Sequence, residues 1–164
     1  WLTALALLAG APGLARLVAY EADLPRAAHL AGNIADHAGE RGQAVADALP
    51  PLGQLGLDRI DLLRTEDAAR IMADAPALTA GGTLVAATLD LRRELVPGRP
   101  HPAETLAAWC AAYGGLVTFD RRGAPLPAAD ASGLAVALEA ALDSPERRVE
   151  VFLGPAGWVE RYAG

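Results

Sequence analysis

The chain has 164 residues, of which 52% are hydrophobic and 21% charged, and it carries a formal net charge of −6 with a pI near 5.0. This composition is typical of a folded globular domain, and the acidic balance argues against nucleic-acid binding, which requires a cationic surface. The single cysteine, Cys110, rules out an internal disulfide and with it the class of disulfide-stapled secreted domains.

The first fifteen residues, WLTALALLAGAPGLA, are apolar and uncharged. They are too few to span a membrane, which takes about 20 residues, and no basic segment precedes them as in a signal peptide. The spacing of Leu2, Leu5 and Leu8 instead predicts a buried helix that ends at the Gly-Ala-Pro-Gly cluster. We therefore expect a cytoplasmic protein.

A strand and a long helix are predicted next. Residues 14–20 (LARLVAY) are rich in large apolar side chains and favour a strand. Asp23 is placed to cap the following helix, and Pro25 falls in its first turn, where a missing N–H costs little. The helix is expected to end at the Pro50-Pro51 pair, or to be split in two by Gly39 and Gly42. Its buried stripe would contain Leu30, Ile34, Ala38, Val45 and Leu49.

The central segment predicts three consecutive strands. Polar and apolar residues alternate through DRIDLLRT, an acidic turn follows at residues 66–67, and residues 69–73 (ARIMA) are expected to return as the second strand of a hairpin. After a turn at residues 79–82, the segment 82–91 (GTLVAATLDL) has the strongest strand pattern of the chain. Short turns between consecutive strands favour an antiparallel meander over parallel βαβ units.

The second half of the chain repeats this order. A helix is predicted from Pro102, with an apolar face made by Leu106, Trp109, Cys110 and Tyr113. A strand at 115–119, a turn at 120–123, a helix with Leu134, Leu138, Ala141 and Leu142, and a hairpin of residues 148–153 and 158–162 follow. The series helix, strand, helix, hairpin then recurs after roughly 90 to 100 residues, either as an internal repeat or as chance similarity in an alanine- and arginine-rich chain.

Two segments carry a family resemblance. LGLDRIDLLRTEDAARIMADAPALTAGGTLVAATLDL (residues 55–91), with the long helix before it, resembles the core of the Roadblock / dynein light chain family. GGLVTFDRRGAPLPA (residues 114–128) is similar to the opening hairpin of that family, with its Asp-x-x-Gly turn, whereas EADLP in the first copy lacks the turn glycine. The resemblance implies a Roadblock-like module at residues 1–113 and a partial second module at 104–164, which share a helix at 102–113.

The resemblance also implies a fold and a function. The fold would be α/β (α+β), an antiparallel sheet of about five strands flanked by helices in a profilin-like layer architecture. Family members are non-enzymatic scaffolds that form dimers through sheet edges and central helices and dock on dynein subunits or on small Ras-like GTPases, including those of bacterial gliding motility. We therefore expect a bacterial regulatory scaffold that forms a homodimer and binds a protein partner, with a small Ras-like GTPase as the candidate. No cofactor, metal, nucleic acid or membrane is expected. A small-molecule sensor of the PAS or GAF type and an enzyme of unrecognised type are the alternatives.

The residues assign no catalytic, cofactor-binding or metal-binding role. His29 and His37 lie eight positions apart in the long helix, too far apart to chelate one ion, and are expected to be solvated or satisfied. His101 lies between two prolines within reach of the next helix start, with no nucleophile in a recognisable elbow beside it. Cys110 is predicted to be a buried, inert thiol on the apolar face of its helix.

The remaining polar residues are predicted to lie on the protein surface. Gly32, Gly39 and Gly42 do not form a phosphate loop, and the chain has no lysine to complete a Walker motif. The carboxylates Asp58, Asp61, Glu66 and Asp67, interleaved with Arg59 and Arg64, predict the exposed face of a strand. Two further groups are either solvated turn residues or contacts to an acidic partner or to a GTPase phosphate: Arg92, Arg93, Glu94 and Arg99, and the pair Arg121 and Arg122.

Overall fold

A computed structural model describes residues 15–90, 100–118 and 148–155, together with Gly13, Gly98 and Gly157. Contacts within the chain divide it into two compact units, Trp1–Leu55 and Gly56–Gly164. The fold is mixed α/β, as expected. Several predicted elements lie outside the described residues: the helix before the Gly-Ala-Pro-Gly cluster, the turn at 120–123, the helix that follows it and the strand at 158–162. The proposed repeat of modules at 1–113 and 104–164 stays a prediction.

The first unit is a βαβ arrangement. It consists of β1 (Leu17–Tyr20), α1 (Leu24–Ala38), a 3-10 turn (Gly39–Arg41), β2 (Gly42–Val45) and a later 3-10 turn (Leu52–Gln54). β1 and β2 pair in parallel. Three buried residues of α1 pack against apolar residues of the two strands, and together they form the core of this unit: Leu30, Ile34 and Ala38 with Leu17, Ala19 and Ala44.

Local sequence explains where α1 begins and ends. Asp23 caps it as predicted, since its Oδ1 accepts a hydrogen bond from the Arg26 N–H at 2.9 Å. The helix stops at Gly39, whose φ of +55° lies in the left-handed region that favours glycine. The longer predicted helix is wrong, because the chain turns at Gly39 and pairs with β1, so Val45 lies in β2 and Leu49 in the loop beyond it.

The second unit begins with another parallel pair. It contains β3 (Leu62–Thr65), α2 (Ala68–Ala73), α3 (Ala75–Ala80) and β4 (Leu84–Asp90), and β3 pairs with β4 in parallel. The predicted strand at residues 69–73 is therefore wrong: the segment is helical. Asp67 starts the helix by accepting hydrogen bonds from the N–H groups of Ala69 and Arg70 at 3.0 and 3.1 Å. The antiparallel meander is wrong for the same reason, because a helical connection returns the chain to the start of the next strand.

Three further elements complete the described part of this unit. They are α4 (Pro102–Tyr113), β5 (Gly115–Thr118) and β6 (Arg148–Gly154). The strand order is β3-β4-β6-β5, and β6 runs antiparallel to both of its neighbours. The described strands thus form a four-stranded mixed sheet and a two-stranded pair, in place of the expected antiparallel sheet of about five strands. The strands predicted at 82–91, 115–119 and 148–153 are confirmed over residues 84–90, 115–118 and 148–153.

The core of the second unit lies between the sheet and its helices. Alternate residues of the two central strands are buried, namely Val85, Ala87, Leu89, Val149, Val151 and Leu153, and the helices contribute Ile71, Leu78, Leu106, Trp109 and Tyr113. Cys110 is exposed, which corrects the prediction of a buried thiol. Trp109 and Tyr113 take the centre of the apolar helix face, and Cys110 falls at its margin.

Tyr113 ties α4 to α2 inside this core. Its hydroxyl donates a hydrogen bond to the backbone oxygen of Ile71 at 2.8 Å, and the residue is almost fully buried. Burial, with a smaller contribution from the negative charge of Asp74, raises the pKa of Tyr113 to about 12.

The contact between α1 and β2 predicts opposite effects at two glycines. A Cβ added at Gly42 would lie 2.4 Å from Ile34 Cγ2 and 2.6 Å from Ala38 Cβ, so we expect Gly42→Ala to destabilise the protein by about 1–3 kcal/mol. Gly32 lies inside α1 with no atom within 4 Å of such a Cβ, and Gly32→Ala should stabilise by about 0.5–1 kcal/mol. Urea denaturation followed by circular dichroism measures both, and equal effects of the two changes would contradict the packing.

The environment of Tyr113 predicts a loss of stability in alkali. Because its pKa rises from 10.0 to about 12 on folding, the unfolded chain releases this proton first. The free energy of unfolding should therefore be unaffected below pH 10 and fall between pH 10 and 12, by at most about 1.4 kcal/mol per pH unit. Tyr113→Phe should lower stability by about 1–2 kcal/mol at neutral pH and remove this part of the alkaline loss. Denaturation midpoints of both proteins from pH 8 to 11.5 test the prediction, which fails if the two curves stay parallel.

Candidate functional site

A cavity of about 360 Å³ opens at the carboxyl ends of β3 and β4 in the second unit, and we refer to it as the edge cleft. Its walls come from the residues after β3, the end of β4, the start of α4 and the first residue of β6: Glu66, Asp67, Ala68, Ala69, Thr88, Leu89, Asp90, Pro100, Pro102, Thr105, Trp109 and Arg148. The carboxyl ends of parallel strands are where α/β proteins commonly hold their ligands.

The topology brings charged residues to this cleft. Since β3 and β4 are parallel, their carboxyl ends lie at the same edge, and Glu66 and Asp67 follow one strand while Asp90 ends the other. β6 runs the opposite way, so its first residue, Arg148, is the register partner of Asp90. In the described part of the chain, three carboxylates and one guanidinium therefore line one small cavity.

The carboxylates of the edge cleft are not equivalent. Asp67 is engaged as the cap of α2 through two backbone N–H groups. Glu66 keeps a largely exposed side chain, with 60% of its surface accessible, and its Oε1 lies 3.8 Å from Nη2 of Arg64. At that distance and exposure the pair is weak, so Glu66 can turn toward a bound ligand.

A polar network fixes the sheet beside the cleft. Arg64 on β3 donates from Nη2 to Glu150 Oε1 on β6 at 2.9 Å and to Thr88 Oγ1 on β4 at 3.1 Å. Thr88 in turn donates to Glu150 Oε1 at 2.8 Å. The network crosses three strands and fixes the side chain of Thr88, one of the residues that line the cleft.

Trp109 contributes an unusual donor. The residue is 1% exposed and lines the edge cleft, and its indole N–H makes no hydrogen bond with any residue in the described segments. A buried indole N–H usually has an acceptor, since leaving it unpaired costs free energy. Water or a ligand is then the remaining acceptor for this donor. The sequence suggested only a core role for Trp109, because the apolar spacing of the helix explains its burial equally well.

The first unit has its own acidic edge. Glu21 directly follows β1, and Asp47 lies two residues after β2. Glu21 Oε1 accepts a hydrogen bond from the Asp23 N–H at 3.0 Å, and Asp47 Oδ1 accepts one from the Ala48 N–H at 2.7 Å. In the described residues, the second oxygen of each carboxylate accepts no hydrogen bond and can accept one from a ligand hydroxyl.

The histidines have the positions that the sequence predicts. His29 and His37 are exposed on α1, as solvated helix residues are. His101 lies at the start of α4 and caps it: its Nδ1 accepts from the Ala103 N–H at 3.0 Å, and its own N–H donates to Glu104 Oε2 at 3.3 Å. This reciprocal pair is a capping box, which is a structural role.

The carboxylates that were predicted to lie on the surface are exposed, and two of them also line the edge cleft. Asp58 and Asp61 lie on the surface, as do Glu66 and Asp67, which also line the edge cleft. The sequence missed the cleft because an antiparallel hairpin would have put residues 66–67 at a plain turn. Both arginine groups, at 92–99 and 121–122, lie outside the described residues.

Two searches of the described segments give negative results. They contain no cluster of three histidine, cysteine or acidic side chains that could hold a metal ion. No helix within them is both long and apolar enough to cross a membrane. Comparison with protein families, characterised proteins and solved structures finds no match to the chain. Function is therefore inferred from geometry and charge.

Proposed function

We propose that the protein binds small organic ligands at the carboxyl ends of its parallel strands. The edge cleft is the observation that carries this proposal. Its volume of about 360 Å³ falls in the range of ligand sites. Its walls combine apolar residues with a few hydrogen-bonding groups, the composition by which small-molecule sites fix a ligand's orientation.

The acidic edge of the first unit suits the hydroxyl groups of a ribose. In nucleotide-binding βαβ arrangements, a carboxylate after the second strand accepts hydrogen bonds from ribose hydroxyls. Asp47 lies two residues after β2, and Glu21, whose N–H donates to the Val45 oxygen of β2 at 3.0 Å, offers a second acceptor at the same edge. We infer that a nucleoside compound binds at this edge.

Charge argues against a phosphate-bearing nucleoside. The chain carries a net charge of −6 and has no lysine. The N-terminal amides of α1, where a phosphate would otherwise bind, are already capped by Asp23. A nucleoside without phosphate and with a positive charge fits better, and S-adenosylmethionine is a common compound of that kind.

Calorimetric titration of the full chain with S-adenosylmethionine, ATP and NAD tests the proposed nucleoside site of the first unit. We expect S-adenosylmethionine to bind and the two phosphate compounds to bind at least tenfold more weakly. Glu21→Gln keeps an oxygen for the Asp23 N–H but removes the charge, and should weaken binding about tenfold, the effect of losing one charge-assisted hydrogen bond. Glu40→Gln is the matched control, since Glu40 is exposed in the turn after α1.

Two results would contradict the proposed nucleoside site. Equal affinity for ATP would show that charge does not select the ligand. Absence of binding by all three compounds at millimolar concentration would refute the nucleoside site.

A second candidate function is the regulatory scaffold suggested by the Roadblock-like segments. It is favoured by one observation: β3 and β5 stand at the two ends of the described sheet, and a strand edge can pair with another chain. In this proposal a cytoplasmic, non-enzymatic homodimer binds a protein partner such as a small Ras-like GTPase. The parallel pairs differ from the antiparallel sheet of that family, so ligand binding takes precedence. A small-molecule sensor would use the same edge cleft.

Light scattering on the full chain separates the scaffold from a simple binding domain. The scaffold proposal expects a homodimer of twice 16.9 kDa at micromolar concentration. A mass of 16.9 kDa at every concentration up to the millimolar range would contradict it.

A further inference from the structure

We propose that the edge cleft selects a small cationic ligand that also presents a hydrogen-bond acceptor, with a basic amino acid as the simplest compound of this class. The inference rests on the proposed role of the cleft as a ligand site and names the chemistry of its ligand. Three features of the cavity support it: the sign of its charge, a buried donor without an acceptor, and a guanidinium at its rim.

The charge of the cleft favours a cation. Among the described residues that line it, Glu66, Asp67 and Asp90 are acidic and Arg148 is basic. A cavity with low-dielectric walls concentrates this field, so a positive ligand is attracted and an anionic one repelled. Glu66 is the carboxylate best placed to pair with the ligand, because its side chain is 60% exposed and is held only by a 3.8 Å contact to Arg64.

The indole N–H of Trp109 lacks a hydrogen-bond acceptor among the described residues. At 1% exposure this donor has little access to bulk water, and no described residue accepts from it. A ligand with a carboxylate or carbonyl oxygen would satisfy it. A purely cationic ligand such as a simple amine would leave it unpaired, so the ligand needs both functions.

Arg148 supplies the complementary charge for a carboxylate. It is exposed at the first position of β6 and forms no ion pair with the residues that the structure describes. A guanidinium binds a carboxylate through two parallel hydrogen bonds. Glu66 follows β3 and Arg148 begins β6, on opposite sides of the end of β4, so together they suit a ligand that carries a carboxylate and, apart from it, a cationic group.

The hydrogen-bond network of Arg64, Thr88 and Glu150 leaves the Glu66 carboxylate available to a ligand. Arg64 is already engaged by Glu150 and Thr88 across β3, β4 and β6, so its charge is compensated within the sheet. A bound cation would therefore meet the Glu66 carboxylate with little competition from a second guanidinium. Arg148 is therefore the charged donor among the described residues of the cleft wall.

Nuclear magnetic resonance of the ¹⁵N-labelled full chain tests the inference. The chain has three tryptophans and hence three indole N–H signals. Trp1→Phe and Trp158→Phe each remove one signal and so assign that of Trp109. Titration with L-arginine, with its nearly isosteric but neutral analogue L-citrulline, and with L-glutamate then measures affinity and site together.

We expect L-arginine to move the Trp109 indole proton downfield, to bind at least tenfold more tightly than L-citrulline, and L-glutamate to leave the signal unchanged. Glu66→Gln should reduce the arginine affinity about tenfold. Asp58→Asn is the control, because Asp58 is exposed in the same unit and is absent from the cleft wall.

Three outcomes would overturn the inference. L-citrulline binding as tightly as L-arginine would show that the cleft does not select a cation, although it would remain a ligand site. L-arginine binding without a change at Trp109 would place the ligand elsewhere. No binding of L-arginine at 50 mM, an upper limit of about 2 kcal/mol of affinity, would also refute it. The binding of S-adenosylmethionine and its dependence on Glu21 are measured separately, so the ligand-class inference can fail while the nucleoside proposal stands.

Discussion

The parallel pairing of β3 with β4 is the constraint on which the second unit depends. Parallel strands need a connection that crosses back over the sheet, and here the crossing is made by two short helices that begin at the Asp67 cap. Those helices supply Ile71 and Leu78 to the core. The same geometry places both strand ends at one edge, and the edge cleft exists because of it.

Stability and binding chemistry share residues in this unit. Asp67 starts a helix with its carboxylate and also faces the cavity. Thr88 belongs to the network with Arg64 and Glu150, and it also forms part of the cleft wall. Trp109 is buried in the core beside the sheet and also lines the cleft. Residues that both stabilise the fold and line the cleft keep the site rigid, because their packing fixes their rotamers.

The sequence was informative where local signals decide the structure. The Asp23 cap, the start of α4 at Pro102 and the alternating strands of β4 and β6 followed from spacing and capping rules. Residues 69–73 were misassigned, because ARIMA in isolation suits a strand as well as a helix turn, and only the preceding cap and the spacing to Leu78 distinguish the two. The edge cleft forms only if residues 69–73 are helical and β4 pairs with β6. In that pairing the partners, such as Thr88 and Glu150, lie some sixty positions apart along the chain, and no local pattern reveals it.

The position of β6 in the sheet has a consequence for the order of folding. β6 lies between β4 and β5, although it follows both in sequence, so β5 reaches β4 only through it. Until β6 inserts, the β3-β4 pair and β5 are therefore not joined in one sheet. The insertion of β6 closes long chain loops, and such steps are slow in folding. Because Arg148 arrives with that strand, the cleft acquires its guanidinium in the same event. Any ligand that needs Arg148 would then bind only after β6 has joined the sheet and would stabilise β6 in that position.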